Sequence, residues 1–86
     1  MDTDAVLIPL DPDGRPMSAR RRGAVLVDIS SGGARLVSRA SMPLGPARAL
    51  IGPRDSGLDV RCKVLACTKR AWSLYVIRVQ FEKEPD

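Results

Sequence analysis

Apolar and polar residues alternate along much of this chain with a period of two. The last third shows it best. In "LDVRCKVLAC" (58–67), Val60, Cys62, Val64 and Ala66 fall on one side, and Arg61, Lys63 and Leu65 on the other. That is the pattern of a strand with one buried face. The turn "TKR" comes next, then "AWSLYVIRVQFE" (71–82), with Tyr75, Ile77, Val79 and Phe81 on one face and Trp72, Leu74, Val76, Arg78 and Gln80 on the other. Upstream, "RRRGAVLVDIS" (20–30) alternates in its second half: Val25, Val27 and Ile29 share one face, and Ala24, Leu26, Asp28 and Ser30 the other. Shorter strands are read at "AVLIPL" (5–10), "GARLVS" (33–38) and "ARALI" (47–51). Pro9 cannot donate to a ladder, which puts the first of these at a sheet edge or ends it there.

The connections "DPDGRP" (11–16), "SMPLGP" (41–46) and "GPRDSG" (52–57) are dense in turn residues. Six strands at short intervals, with no helical periodicity, predict an all-β fold, an antiparallel barrel or sandwich. The length of 86 residues predicts a single domain over 1–86, with the tail "KEPD" frayed. Hydrophobic residues make up 44% of the chain, which argues against disorder. Only Trp72, Tyr75 and Phe81 are aromatic, so the core rests on Val, Leu, Ile and Ala.

Charge and cysteine usage narrow the function. The net charge is +4, and 11 of the 14 basic residues are arginine, whose rigid fork of donors suits phosphate and guanine. A GC-rich coding sequence yields the same arginine count, so particular positions must carry the argument. Cys62 and Cys67 are five apart, which is not a CxxC spacing, and there is no histidine to complete a zinc site. On one strand their opposite parity points them to opposite faces, as two free thiols of a reducing compartment. With no histidine, no acid dyad and no metal-ligand cluster, the chain is read as not an enzyme, and no cofactor is expected. No apolar run approaches the ~20 residues of a membrane span. The start "MDTDAVLIPL" is acidic and unlike a signal peptide, so a cytoplasmic location without membrane contact is expected.

The stretch "VDISSGGARL" (27–36) carries the candidate chemistry. Asp28 and Ser30 share parity, and Gly32 and Gly33 permit positive φ and close backbone approach. Such a corner offers a carboxylate that can accept from the N1–H and 2-amino group of guanine. Its hydroxyl and backbone N–H groups can bind phosphate or sugar oxygens. An ordinary hairpin corner, with Asp28 and Ser30 bonded to local backbone, uses the same residues.

The motif Asp28-x-Ser30-x-x-Gly33, followed by "ARL" and two long alternating strands, resembles the PilZ domain family. The similarity extends over "VLIPLDPDGRPMS…GAVLVDISSGGARL" and the closing "LDVRCKVLACTKRAWSLYVIRVQFE", with its Val79-Gln80-Phe81 step, and so covers nearly the whole chain. The resemblance implies a six-stranded antiparallel β-barrel and a role in bacterial second-messenger signalling as a cyclic di-GMP receptor. On that basis Asp28, Ser30 and Gly33 are candidate ligand contacts, with Arg35 the nearest arginine in sequence. The family's RxxxR motif before the first strand has no counterpart in Met1–Asp4, and its C-terminal helix has none either. An RxxxR at Arg35 and Arg39 lies on the wrong side of the glycine corner, and we read it as coincidence. Arg21 is seven residues from Asp28, roughly 24 Å along an extended strand, too far to replace the missing pair.

A second reading takes the chain as a PilZ-like adaptor that has lost nucleotide binding and works by protein–protein contact. Leu65, Trp72, Leu74 and Val76 would form an apolar outer face on the last hairpin, with Trp72 its hot spot against a protein partner or a second copy. A basic barrel that binds nucleic acid is disfavoured by the shortage of stacking aromatics.

Overall fold

The computed structural model describes residues 3–53, 57–70 and 72–82. Part of the turn over 52–57, the tail "KEPD" and Ala71 lie outside the described residues. The fold is all-β. Strands β1 (Thr3–Pro9), β2 (Arg22–Ile29), β3 (Gly33–Ser38), β4 (Gly45–Ile51), β5 (Leu58–Lys69) and β6 (Tyr75–Phe81) close into a barrel. Their order is β1-β2-β3-β6-β5-β4, with β4 paired back to β1, and every pairing is antiparallel. Closure removes sheet edges, and β1 ends at Pro9. Between β1 and β2, the Asp11 carboxylate accepts from the backbone N–H of Asp13 and Arg15 at 2.9 and 2.8 Å, and a single 3-10 turn covers Ser18–Arg20.

A six-stranded barrel has a narrow interior, which large side chains alone would overfill. The sequence meets this by mixing sizes. Leu7, Leu36, Ile77, Val64 and Cys62 are fully buried, and Ala5, Ala24, Ala34, Ala47 and Ala49 fill the space between them. Met42, from the loop before β4, joins this core and donates its backbone N–H to the Cys67 sulfur at 3.4 Å. Among the described residues Ser38 is the buried polar side chain; it donates to the Gly23 carbonyl at 2.8 Å and accepts from the Ala40 N–H at 3.2 Å.

Two β-bulges break the alternation read from the sequence. In β2, Leu26 pairs with Leu36 and Asp28 with Arg35, leaving Val27 as an extra residue. Unbroken alternation would place Asp28 beside Ala24 and Leu26, which face the core. The bulge turns Asp28 outward and puts Ile29 opposite the buried Ala34, so Val25 and Ile29 do not share a face. In β5, Val64 pairs with Val79 and Ala66 with Arg78, leaving Leu65 extra. Ala66 therefore leaves the face of Cys62 and Val64. Cys67 pairs with the buried Ile77 and packs against the core, so both cysteines face inward rather than to opposite sides. One inserted residue reverses every later side chain, which strict alternation does not reveal. The last strand also starts later than expected: Trp72 lies in the β5–β6 turn at φ 59°, not on the strand.

Candidate functional site

Asp28, Arg35, Arg78 and Ala66 form one register row across the outer faces of β2, β3, β6 and β5. A bulge lies at each end of the row, at Val27 and at Leu65. Arg35 Nη2 donates to Asp28 Oδ2 at 2.9 Å, with both side chains more than half exposed. Arg35 and Arg78 are direct cross-strand partners, so their Cβ atoms stand roughly 5 Å apart. Asp28 neutralises Arg35. Among the described residues the ion pairs are Arg35–Asp28, Arg48–Asp59 and Arg61–Glu82, and none includes Arg78. Two like charges directly opposed on a sheet are destabilising, so this row carries an excess positive charge at a cost to the fold.

The β2–β3 corner closes beside this row. Ser30 N–H donates to the Gly33 carbonyl at 2.8 Å. The Ser30 hydroxyl donates to that same carbonyl and accepts from Gly32 N–H, both at 3.4 Å. These side-chain bonds are long, so the hydroxyl can exchange them for a stronger partner. Neither corner glycine uses positive φ, contrary to the sequence expectation; Gly14, Gly45 and Gly52 do. Gly33 serves the other purpose. A Cβ there would stand 2.2 Å from the Val79 carbonyl oxygen, so only glycine lets β3 approach β6. Gly32, by contrast, has open space around it.

A shallow groove of about 400 Å³ lies over this corner, lined by Asp28, Ser30, Gly33, Arg35, Leu65 and Arg78 among others. Its volume is in the ~300–1,000 Å³ range of small-molecule sites. The groove presents one carboxylate, two guanidinium groups, a hydroxyl and backbone N–H groups. That set suits an anion joined to a ring that donates hydrogen bonds.

The structure thus brings together all four ligand candidates, Asp28, Ser30, Gly33 and Arg35. It adds Arg78, which sequence reasoning placed on an outer face but could not join to Arg35 without the register. Arg39 lies beyond the far end of β3, and Arg22 pairs with Leu7 at the opposite end of β2 from Asp28, so neither joins the site. The apolar hairpin cluster is divided. Leu65 lines the arginine groove, whereas Leu74 lines a different groove with Val25 and Val37. Val76 is Val37's register partner on the outer face, and Trp72 is 91% exposed at the turn.

Two further groups are structural. Arg48 holds Asp59 through two bonds, Nε to Oδ1 at 2.6 Å and Nη2 to Oδ2 at 2.9 Å, which raises the guanidinium pKa further. Burial, with the nearby Glu82 charge, pushes the Cys62 thiol up to about 11, so it is a core side chain rather than a nucleophile. No group of metal-ligating side chains is found among the described residues, and no helix among them is long and apolar enough to cross a membrane. No family model matches this chain, and no curated protein matches it in sequence.

Proposed function

We propose that this barrel is a PilZ-like domain of bacterial second-messenger signalling, binding cyclic di-GMP at the β2–β3 corner. The observation that supports the reading is the cross-strand opposition of Arg35 and Arg78 beside Asp28. A phosphate seated between the two guanidinium groups relieves their repulsion and gains charge-assisted bonds from both. Asp28 then accepts from the Watson–Crick edge of guanine, and Ser30 with the corner N–H groups reaches the sugar-phosphate. Arg35 and Arg78 do the work for which the family uses the arginines of its upstream motif. Each such bond contributes on the order of 1.5–3 kcal/mol, so either arginine alone is worth about tenfold or more in affinity. The reading assigns no catalytic step, and a cytoplasmic location follows from it.

Isothermal titration of cyclic di-GMP into the wild-type chain, Asp28→Ala, Arg35→Ala and Arg78→Ala tests this. Micromolar binding weakened in all three variants is expected. Absence of heat with the wild type at high ligand overturns it.

A second reading, a PilZ-like adaptor working by protein contact, is favoured by one observation of its own. Trp72 is almost fully exposed, in a backbone conformation unfavourable for a bulky side chain. The corner motif then persists for the Gly33 packing and the Asp28–Arg35 pair alone.

A further inference from the structure

The groove at the β2–β3 corner supplies each kind of charged contact once. Among the described residues its charged lining side chains are Asp28, Arg35 and Arg78. One carboxylate can face one guanine, and one opposed pair of guanidinium groups can hold one phosphate. Cyclic di-GMP is two-fold symmetric, with two guanines and two phosphates. One groove therefore engages one half of the ligand and leaves an identical half unmet. Lys63, the register partner of Gln80 on β5, does not line the groove and so does not complete it for the second phosphate.

Charge balance gives the same count. Two guanidinium groups against one carboxylate leave the groove one net positive charge. The ligand carries two negative charges, one on each phosphate. One ligand on one chain leaves a phosphate charge unmatched, whereas one ligand between two chains is neutral. The surroundings fit a second protein surface as well. At about 400 Å³ the groove is near the lower end of the ~300–1,000 Å³ range of small-molecule sites. Val27 and Leu65, the bulged residues at the two ends of the row, are 55% and 43% exposed. Apolar rims on both sides of a charged groove suit closure by a surface that excludes water from the polar contacts.

We infer that cyclic di-GMP bridges two copies of this chain, each copy gripping one guanine and its phosphate. The two-fold axis of the ligand becomes the two-fold axis of the dimer, and both copies use the same patch. Without nucleotide the two grooves repel, since each carries an excess positive charge. The ligand removes that repulsion and supplies most of the contact, so the dimer forms only in its presence. The bridge rests on the cyclic di-GMP reading of the groove and adds a second copy of the chain as the partner.

Sedimentation velocity and calorimetry on the wild-type chain with cyclic di-GMP test the bridge. The chain alone is expected as a monomer. At one ligand per two chains the mass should double, and the calorimetric end point should fall at that ratio. A large excess of ligand should return the mass to that of the monomer, because each chain then takes a ligand of its own. Guanosine monophosphate, with a single guanine and a single phosphate, should occupy the groove without doubling the mass, and in excess should dissolve the bridged dimer. Val27→Ser should weaken the nucleotide-dependent dimer about fivefold or more, the effect of leaving half a valine side chain unburied, with guanosine monophosphate binding unchanged. Binding at one ligand per chain with a monomer mass overturns the bridge and leaves the cyclic di-GMP reading standing. A dimer that forms equally without nucleotide, or that survives a large excess of it, also overturns the bridge. No heat and no change of mass remove the cyclic di-GMP reading itself, and the bridge with it.

Discussion

Asp28 and Arg35 face each other across the β2–β3 hairpin, Oδ2 to Nη2 at 2.9 Å, only because Val27 is bulged out between Asp28 and Leu26. The pair is exposed on both sides, at 58% and 54%. Exposed pairs of this kind contribute ~0.2–1 kcal/mol. Asp28→Ala is therefore expected to lower stability by less than about 1 kcal/mol in a urea melt, while cyclic di-GMP binding falls about tenfold or more. A large stability loss would make Asp28 a folding residue and remove the case for its reading guanine.

Arg78 gives a test in which the two readouts have opposite signs. It opposes Arg35 directly, and among the described residues no carboxylate pairs with it. Arg78→Ala removes the repulsion and should raise the stability of the ligand-free barrel by a few tenths of a kcal/mol. The same substitution should weaken nucleotide binding. Equilibrium unfolding and calorimetry on one preparation measure both, and a loss of stability contradicts the charge argument.

The two corner glycines should separate cleanly. At Gly33 a methyl group would meet the backbone carbonyl of Val79 at 2.2 Å, and backbone cannot move aside as a flexible side chain can. Gly33→Ala must part β3 from β6 and is expected to cost about 2 kcal/mol or more, within the range for overpacked sites. At Gly32 a Cβ meets nothing within 4 Å, so Gly32→Ala should stay within about 0.5 kcal/mol of wild type. Thermal denaturation of both variants decides the matter.

Strand number, order of elements and most inward residues are legible in the sequence because period-two alternation reports one buried face. Alternation does not show where the ladder takes an extra residue. Val27 and Leu65 carry no special chemistry, yet each reverses the facing of every later residue on its strand. The pattern therefore groups Asp28 with the inward Ala24 and Leu26, and sets Cys67 on the face opposite Cys62. The Arg35–Arg78 pairing is illegible for a related reason. Those residues are 43 apart in the chain and meet only through the β3–β6 register. Gly33 stands out in the sequence for conformational freedom, but its purpose is the close approach of Val79. Trp72 reads as part of the strand because it lies two residues before the apolar Leu74, whereas the chain is still turning there.

Cys62 provides a pH dependence with a definite sign. Its folded pKa is pushed up to about 11 by burial, with a contribution from Glu82, against an ordinary value of 9.0. Above pH 9.0 the unfolded thiol releases its proton while the folded one keeps it, so the unfolded state gains. This contribution to stability is therefore intact below pH 9 and falls progressively up to about pH 11. Urea midpoints of wild type and Cys62→Val across that window should diverge, with the valine variant losing less as pH rises. The native thiol should also resist iodoacetamide at pH 8 and react once the chain is unfolded in urea. Rapid native alkylation at this residue would contradict its burial.

Trp72 occupies the left-handed region at φ 59°, where a bulky residue costs on the order of 1–2 kcal/mol and glycine almost nothing. It is 91% exposed, so little packing offsets that cost. Trp72→Gly removes the strain and adds back some chain entropy in the unfolded state. The net expectation is a gain of roughly 0.5–1 kcal/mol, or about 2–8 °C in Tm for a chain of this size. A gain means that the barrel holds a tryptophan against its own stability, as expected of a residue kept for contact with a partner. A loss of more than about 1 kcal/mol in the same scan would show that the ring packs against the barrel and would remove Trp72 as a docking anchor.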